Sequence, residues 1–439
     1  MIRLPQAELK LAPRAASRLA LYAFAALLVV INLVAFRHAI GWDVFYNTDS
    51  EVMLGVAAKA GWREALGWIT GPWVGAPLCL YYRPTSSWLM WAEWALFGWN
   101  AAGYQWVGMG LHIASVLLFW RIAARLLGSE LLAAVAALVF TARPRNVRTL
   151  AVLTAQPDLV AAVFMFLSLL LLCVGLGAAC RAPTAGSAGS ARQWRQAAVI
   201  GASLMAALLS LGGKEMALSL PLLASLIIVF DRRSSRREKL MLLGAYWAAF
   251  AAFMLLRTFA MSGLGYIPKG WRDPMQAMTT FGRSAGLYFA YPFAASVLTR
   301  EWWPLAMFAL IGGYAAAAWR RPPLRQERTV LYVAVPALIG AALGAAALCY
   351  ETWAGILTWY PWRLLGLMLL YAAGAALIIA RDRRAALFVL LWGLFAFVPA
   401  AYRVFDWSGK FFYIPHTFWA LAAALAVDAV IPLARRPAR

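Results

Sequence analysis

AVLTAQPDLVAAVFMFLSLLLLCVGLG, residues 151–177, is an apolar run interrupted by one charged residue, Asp158. A helix that crosses a bilayer needs about 20 mostly apolar residues, and a buried helix of a soluble domain is usually shorter. The stretch therefore predicts a membrane span. Asp158 follows Gln156-Pro157. The proline frees a backbone carbonyl, and an acid at that depth requires a partner, for which Arg143 and Arg148 just upstream are the nearest candidates.

Outward from this run the same pattern recurs. Apolar segments near 19–40, 104–122, 128–142, 197–213, 216–230, 240–260, 302–319, 329–349, 362–380, 385–402 and 413–432 are separated by short basic breaks, so the chain reads as all-α with about twelve spans. Across 439 residues it is 64% hydrophobic and 13% charged, with 22 Trp and a mean hydropathy of +0.70. These values exclude an ordinary soluble domain, and no soluble domain or tandem repeat of fixed period is visible.

The net charge of +22 follows from topology. If the spans alternate, the Arg/Lys clusters of the N-terminal tail and those near 121–125, 181–195, 232–239, 320–328, 381–384 and 435–439 fall on one side, expected to be cytoplasmic. Interleaving of basic clusters with spans accounts for the high pI without nucleic acid as a partner. The first apolar segment is longer than a secretory h-region and reads as a retained anchor, with both termini cytoplasmic and the protein multi-pass in the plasma (inner) membrane. The Ala/Gly/Ser-rich segment 178–196 is expected to be a flexible cytoplasmic linker.

The opposite side carries the longer connections, 41–103, 261–300 and 403–412. The first is the largest, and two of its parts suit interfacial helices: 52–69, with small and apolar residues around Lys59, Arg63 and Glu64, and the Trp-rich 86–99. It also holds the acids Asp43, Asp49 and Glu51. A carboxylate just above the bilayer can act as a general base, and Asp49 is the first candidate, with Asp43 and Glu51 as alternates. Thr48-Asp49-Ser50-Glu51 also fits a capping box that opens a helix, a role compatible with catalysis. The three acids could hold a divalent ion, although their spacing matches no metal motif and no metal ligand is assigned. Cys79, Cys173, Cys180 and Cys349 show no C-x-x-C spacing, so no metal or redox motif is read from them.

Arg83, Arg143, Arg145, Arg148, Lys214, Arg363, Arg403 and Lys410 fall at the same ends of the spans or beside them. There they could meet a lipid-linked phosphate at headgroup level. Arg37, Arg257, Arg283 and Arg300 are read as snorkelling toward ordinary lipid headgroups. Lys214-Glu215 reads either as part of a site or as a local ion pair, and His112, within its span, as an interhelical hydrogen bonder.

Taken in order, Tyr81-Tyr82-Arg83-Pro84, "YQWVGMGLHIASVLLFWRIAARLLG" from 104, "RPRNVRTLAVLTAQPDLVAAVFMF" from 143, "GGKEMALSLPLL" from 212 and "GKFFYIPHTFWAL" from 409 resemble the GT-C glycosyltransferases. They most resemble the membrane portion of the O-mannosyltransferase-like proteins that carry tetratricopeptide repeats. The resemblance covers nearly the whole chain and implies a GT-C bundle with a large first extracytoplasmic loop. It also implies transfer of a sugar from a polyprenyl-phosphate donor to a lipid, glycan or protein acceptor, among membrane lipids. It assigns Asp49 as the acid of the first loop and places Arg83, His112, Asp158, Lys214 and Glu215 in their motifs; Tyr82 and, in the second outer stretch, Tyr266 are read as supporting.

The chain also departs from those relatives. Arg143-Pro144 with Arg148 stands where they have His-Pro followed by an acid, Gln156 where they often have Arg, Asp-Ser-Glu where they have paired acids, and Gly409-Lys410 where they have Glu-Arg. Their repeats have no counterpart in the sequence. Two other classes therefore accompany the enzyme reading: a catalytically inactive relative that binds lipid-linked glycans as a scaffold or subunit, and a lipid or solute transporter. Against the transporter stands the collection of ionisable residues at one face rather than at midplane.

Overall fold

The computed structural model describes residues 14–41, 48–76, 79, 81–141, 146–179, 188–262, 382–400 and 413–434. In chain order its helices are α1 (Arg14–Phe36), α2 (Thr48–Ala57), α3 (Trp62–Gly67), α4 (Pro84–Phe97), α5 (Ala101–Leu127), α6 (Glu130–Thr141), α7 (Asn146–Ala151), α8 (Gln156–Ala179), α9 (Ala188–Leu211), α10 (Leu220–Phe230), α11 (Arg236–Ala260), α12 (Arg383–Phe397) and α13 (Thr417–Ala434). Among the described residues there is no strand.

Among the described residues, five segments are long and apolar enough to cross a bilayer: Ala20–Ala39, Ala101–Leu127, Leu153–Gly177, Trp194–Leu211 and Arg236–Ala260. The described residues are helical and without strands, and the apolar helices point to a membrane-embedded protein. Four further expected spans are helical but short: α6 has 12 residues, α10 has 11, α12 has 15 and α13 has 18. At 1.5 Å per residue the first two reach about 16–18 Å, well under the roughly 30 Å of a hydrocarbon core. Pro221 at the start of α10 explains its length, because the preceding Glu215–Ser219 turn is 3-10 rather than α. The expected spans at 302–319, 329–349 and 362–380 lie outside the described residues, as do most of 261–300 and 403–412.

The described residues divide into two compact units. In the first, α1–α5 and α7–α11 gather around α8, which packs against α4, α5, α7, α9 and α10. In α8, 67% of its most apolar window is buried, against 11% for α11 and 17% for α1. The outer helices expose Tyr22, Val30, Val34, Leu255 and Phe259, a surface suited to hydrocarbon and not to water. On α5 the buried positions Tyr104, Gly108, His112, Ser115, Phe119, Ile122 and Leu126 recur every three or four residues, a single stripe facing the core.

Small and hydroxyl side chains let these helices approach. Ser203 of α9 donates to the Ser168 carbonyl of α8 at 2.6 Å, and its oxygen lies 2.6 Å from the Tyr246 hydroxyl of α11. Ser210 donates to the Ala161 carbonyl at 2.8 Å. Within hydrocarbon, such bonds satisfy polar groups that water cannot reach. Gly128, at φ 69°, ends α5 in the left-handed conformation that a side chain disfavours. Ser235 and Glu238 close a reciprocal capping box at the start of α11.

In the second unit α13 packs against α6 and α12. Trp392, fully buried, donates its indole N–H to Thr417 Oγ1 at 2.9 Å. The His416 ring stacks on Phe140, with Nε2 3.3 Å from the Val139 carbonyl.

Candidate functional site

The site begins at a strained turn. Trp73–Gly75 is a 3-10 turn in which Val74 has φ 48° and Gly75 φ 70°. Glycine tolerates the left-handed region, but a β-branched valine there is an outlier held by its surroundings. Val74 is fully buried and its N–H donates to Ser87 Oγ at 2.9 Å. The Ser87 hydroxyl in turn donates to the Arg83 carbonyl at 2.9 Å, and Trp73 N–H donates to the Tyr81 carbonyl at 2.8 Å. The turn is thus stapled to the start of α4.

That staple places the Arg83 guanidinium 4.6 Å from the Trp73 ring and 4.4 Å from the Tyr81 ring. Arg83 Nη2 donates to Glu215 at 2.7 Å, and Nε shares its proton between both carboxylate oxygens at 3.1 and 3.2 Å. Planar geometry matters here, since only a guanidinium can stack and fork at once. Burial works against the Arg83 cation, but the Glu215 carboxylate and its hydrogen bonds outweigh it and hold the group protonated above its usual value. Burial likewise pushes Glu215 up, yet Arg83 prevails and holds its carboxyl below the usual range.

The second pair adjoins the first in sequence and in space. Thr85 N–H donates to the Gly212 carbonyl at 3.0 Å and Ser86 Oγ to the Gly213 carbonyl at 2.8 Å. Gly213 lies so close to α8 that a Cβ there would fall 2.9 Å from Ala161 N. With the chain pinned this way, extended Lys214 reaches the Asp158 carboxylate at 2.5 Å. Burial lowers the lysine's proton affinity, and Asp158 only partly restores it. Two residues before Asp158, Gln156 Nε2 donates to Glu93 Oε1 of α4 at 2.5 Å.

Lys214 and Glu215 are therefore not a local pair: each bonds a partner from a distant segment. Asp158 bonds Lys214, a partner that the sequence reading did not propose. Arg148 is exposed on α7, and Arg143 and Arg145 lie outside the described residues. The charges of Arg83 and Lys214 are compensated internally. Asp49 and Glu51 are exposed in the first turn of α2, and α2 packs against α4 and the Trp73–Gly75 turn. Tyr82 donates its hydroxyl to the Ile69 carbonyl at 2.7 Å and leans on Phe253. His112, fully buried, shares a hydrogen bond of 2.5 Å with the Tyr413 hydroxyl and meets Phe36 edge-on. Asp43, Tyr266, Arg363, Arg403 and Lys410 lie outside the described residues. Among those described, no group of three His, Cys, Asp or Glu side chains is arranged to hold a metal.

Sequence reading missed Glu93, Ser86 and Ser87. The signal was present in "SSWLMWAEW": Ser86, Met90 and Glu93 fall at i, i+4 and i+7, one face of a helix, and all three are buried. It also left Tyr413 unassigned as the partner of His112. Comparison of the chain with protein-family models, with curated proteins and with solved structures found no match.

Proposed function

We propose that this chain is an integral-membrane glycosyltransferase of the GT-C type. In this reading it has about twelve spans, lies in the plasma membrane with both termini cytoplasmic, and works at the extracytoplasmic face. It transfers a sugar from a polyprenyl-phosphate donor. The acceptor hydroxyl attacks the anomeric carbon, the bond from that carbon to the phosphate oxygen breaks, Asp49 takes the hydroxyl proton, and polyprenyl phosphate leaves.

One observation supports this above others. Arg83, Asp158 and the Lys214-Glu215 pair, which belong to three separate stretches of the resemblance, meet in one buried network. The helix that carries Asp49 packs on the turn and on α4, which that network anchors. The network serves as a rigid base for the first loop. The donor phosphate is assigned to Arg148, exposed on α7, and, on the sequence reading alone, to Arg143, Arg363, Arg403 and Lys410. Cations positioned beforehand stabilise the leaving phosphate most effectively.

The test is transfer of labelled sugar from synthetic polyprenyl-phosphate donors by the purified protein and by Asp49→Asn. Transfer by wild type, lost in an Asp49→Asn protein of unchanged stability, is the expected result, and turnover by the variant removes Asp49 from the mechanism. Internal compensation of Arg83 and Lys214 favours a second reading, an inactive protein that holds lipid-linked glycans. Saturable donor binding without transfer by wild type would select it, and substrate flux in reconstituted vesicles would select the transporter instead.

A further inference from the structure

Glu93 stands apart from the paired charges. It is 1% exposed, it projects from α4 toward the start of α8, and Gln156 supplies its one hydrogen bond among the described residues. The second carboxyl oxygen, Oε2, is buried and has no partner there. An ionised carboxylate in such a place requires a cation or several donors, because charge without compensation is the most costly group to bury. A neutral amide on one oxygen and nothing on the other is the environment of a carboxylic acid.

The charged and titratable groups on the elements around α4 do not alter this. From α2 come Asp49 and Glu51, and from α3 Arg63 and Glu64, all exposed. From α5 come Tyr104, which donates to the Gly98 carbonyl, His112, which is bonded to Tyr413, and Arg121 and Arg125 toward the far end. From α8 comes Asp158, bonded to Lys214, while Arg83 at the head of α4 is bonded to Glu215, and the Trp73–Gly75 turn carries no charge. None of them bonds to Glu93.

We infer that Glu93 is a proton-binding site: the folded protein holds one exchangeable proton in the seam between α4 and α8, and the seam is tightest when that proton is bound. Burial pushes the carboxyl up from 4.5 to about 8, with the Gln156 hydrogen bond opposing. A folded-state value raised above the unfolded one means that folding takes up a proton. The stabilisation is complete below about pH 4.5 and declines as pH rises to about 8, after which the buried group is ionised. A mildly alkaline medium therefore loosens the seat of the first non-spanning segment, whatever that segment does.

The experiment is an infrared pH titration of the whole purified protein in lipid nanodiscs, from about pH 5 to about pH 10, a window spanning both ends of the transition. Wild type is compared with Glu93→Gln and Gln156→Met. One protonated-carboxyl band should be present at pH 7 in wild type, fade near pH 8, and be absent from Glu93→Gln. Gln156→Met removes the one hydrogen bond that favours the ionised form, so its midpoint should move upward, toward a roughly tenfold tighter proton. The Glu93→Gln protein should also melt above wild type at pH 7, with the gap closing toward pH 4.5. Identical wild-type and Glu93→Gln spectra would overturn the inference, as would a band unaltered up to about pH 10. If Gln156→Met does not fold, the comparison with Glu93→Gln still decides.

Discussion

Replacing Lys214 by methionine strands a buried carboxylate, and the size of the penalty tests whether the network is the scaffold proposed for it. The ammonium and the Asp158 carboxylate are 2.5 Å apart, with side chains 4% and 1% exposed. Removing one partner of an enclosed pair typically costs about 3–5 kcal/mol, because the remaining charge keeps its desolvation penalty and loses its compensation. Against a total stability of about 5–15 kcal/mol, that is a large share. The double variant Lys214→Met, Asp158→Leu has no charge left to strand and should return to within about 1–2 kcal/mol of wild type.

Asp158→Leu alone should show a pH signature of opposite sign to that of Glu93. Burial already lowers the proton affinity of Lys214. Without Asp158 that affinity falls further, so the unfolded state binds more protons than the folded one and stability rises with pH until the unfolded lysine titrates near 10.4. The assay is the thermal midpoint of detergent-purified protein, read by fluorescence and checked for monodispersity, across the four members of the cycle. Additive single effects would refute the reasoning, since they would mean that the two groups do not depend on each other.

Two further substitutions probe the helix contacts that position the site. Gly213→Ala should destabilise by about 1–3 kcal/mol and weaken the Thr85–Gly212 junction, because the added methyl meets the backbone of Ala161 at 2.9–3.0 Å and backbone cannot swing aside; a lower thermal midpoint checks it. Tyr246→Phe removes the hydroxyl shared with Ser203 and Ser168 and should cost only about 0.6–1.7 kcal/mol, the range for hydrogen bonds between membrane helices. A much larger loss in a double-mutant cycle with Ser203→Ala would assign that node more than packing.

Much of the architecture was legible before any coordinates. Long apolar runs can be satisfied only by helices in hydrocarbon, and most of 151–177 forms the helix α8. Composition, small and apolar in one and Trp-rich in the other, predicted helices at 52–69 and 86–99, although Gly61, extended at φ −79° and ψ 178°, splits the first into α2 and α3. Lengths were less legible. At 216–230 hydropathy alone could not register that Pro221 and the 3-10 turn before it leave only 11 residues of α-helix.

What the sequence by itself determined is the solvent. With 64% apolar residues and basic breaks between long runs, no aqueous fold could bury so much apolar surface. Only the tertiary structure decided the partners. In sequence Lys214 beside Glu215 left open a local pair or a place in a site; in the fold each crosses to another segment, because Gly213 brings the chain against α8 and Trp73 and Tyr81 aim Arg83. Glu93 shows the same limit. Its position on a Trp-rich helix was plain, but whether it keeps its proton depends on what faces it across the seam, where no described residue supplies a cation, and that is a property of the packing.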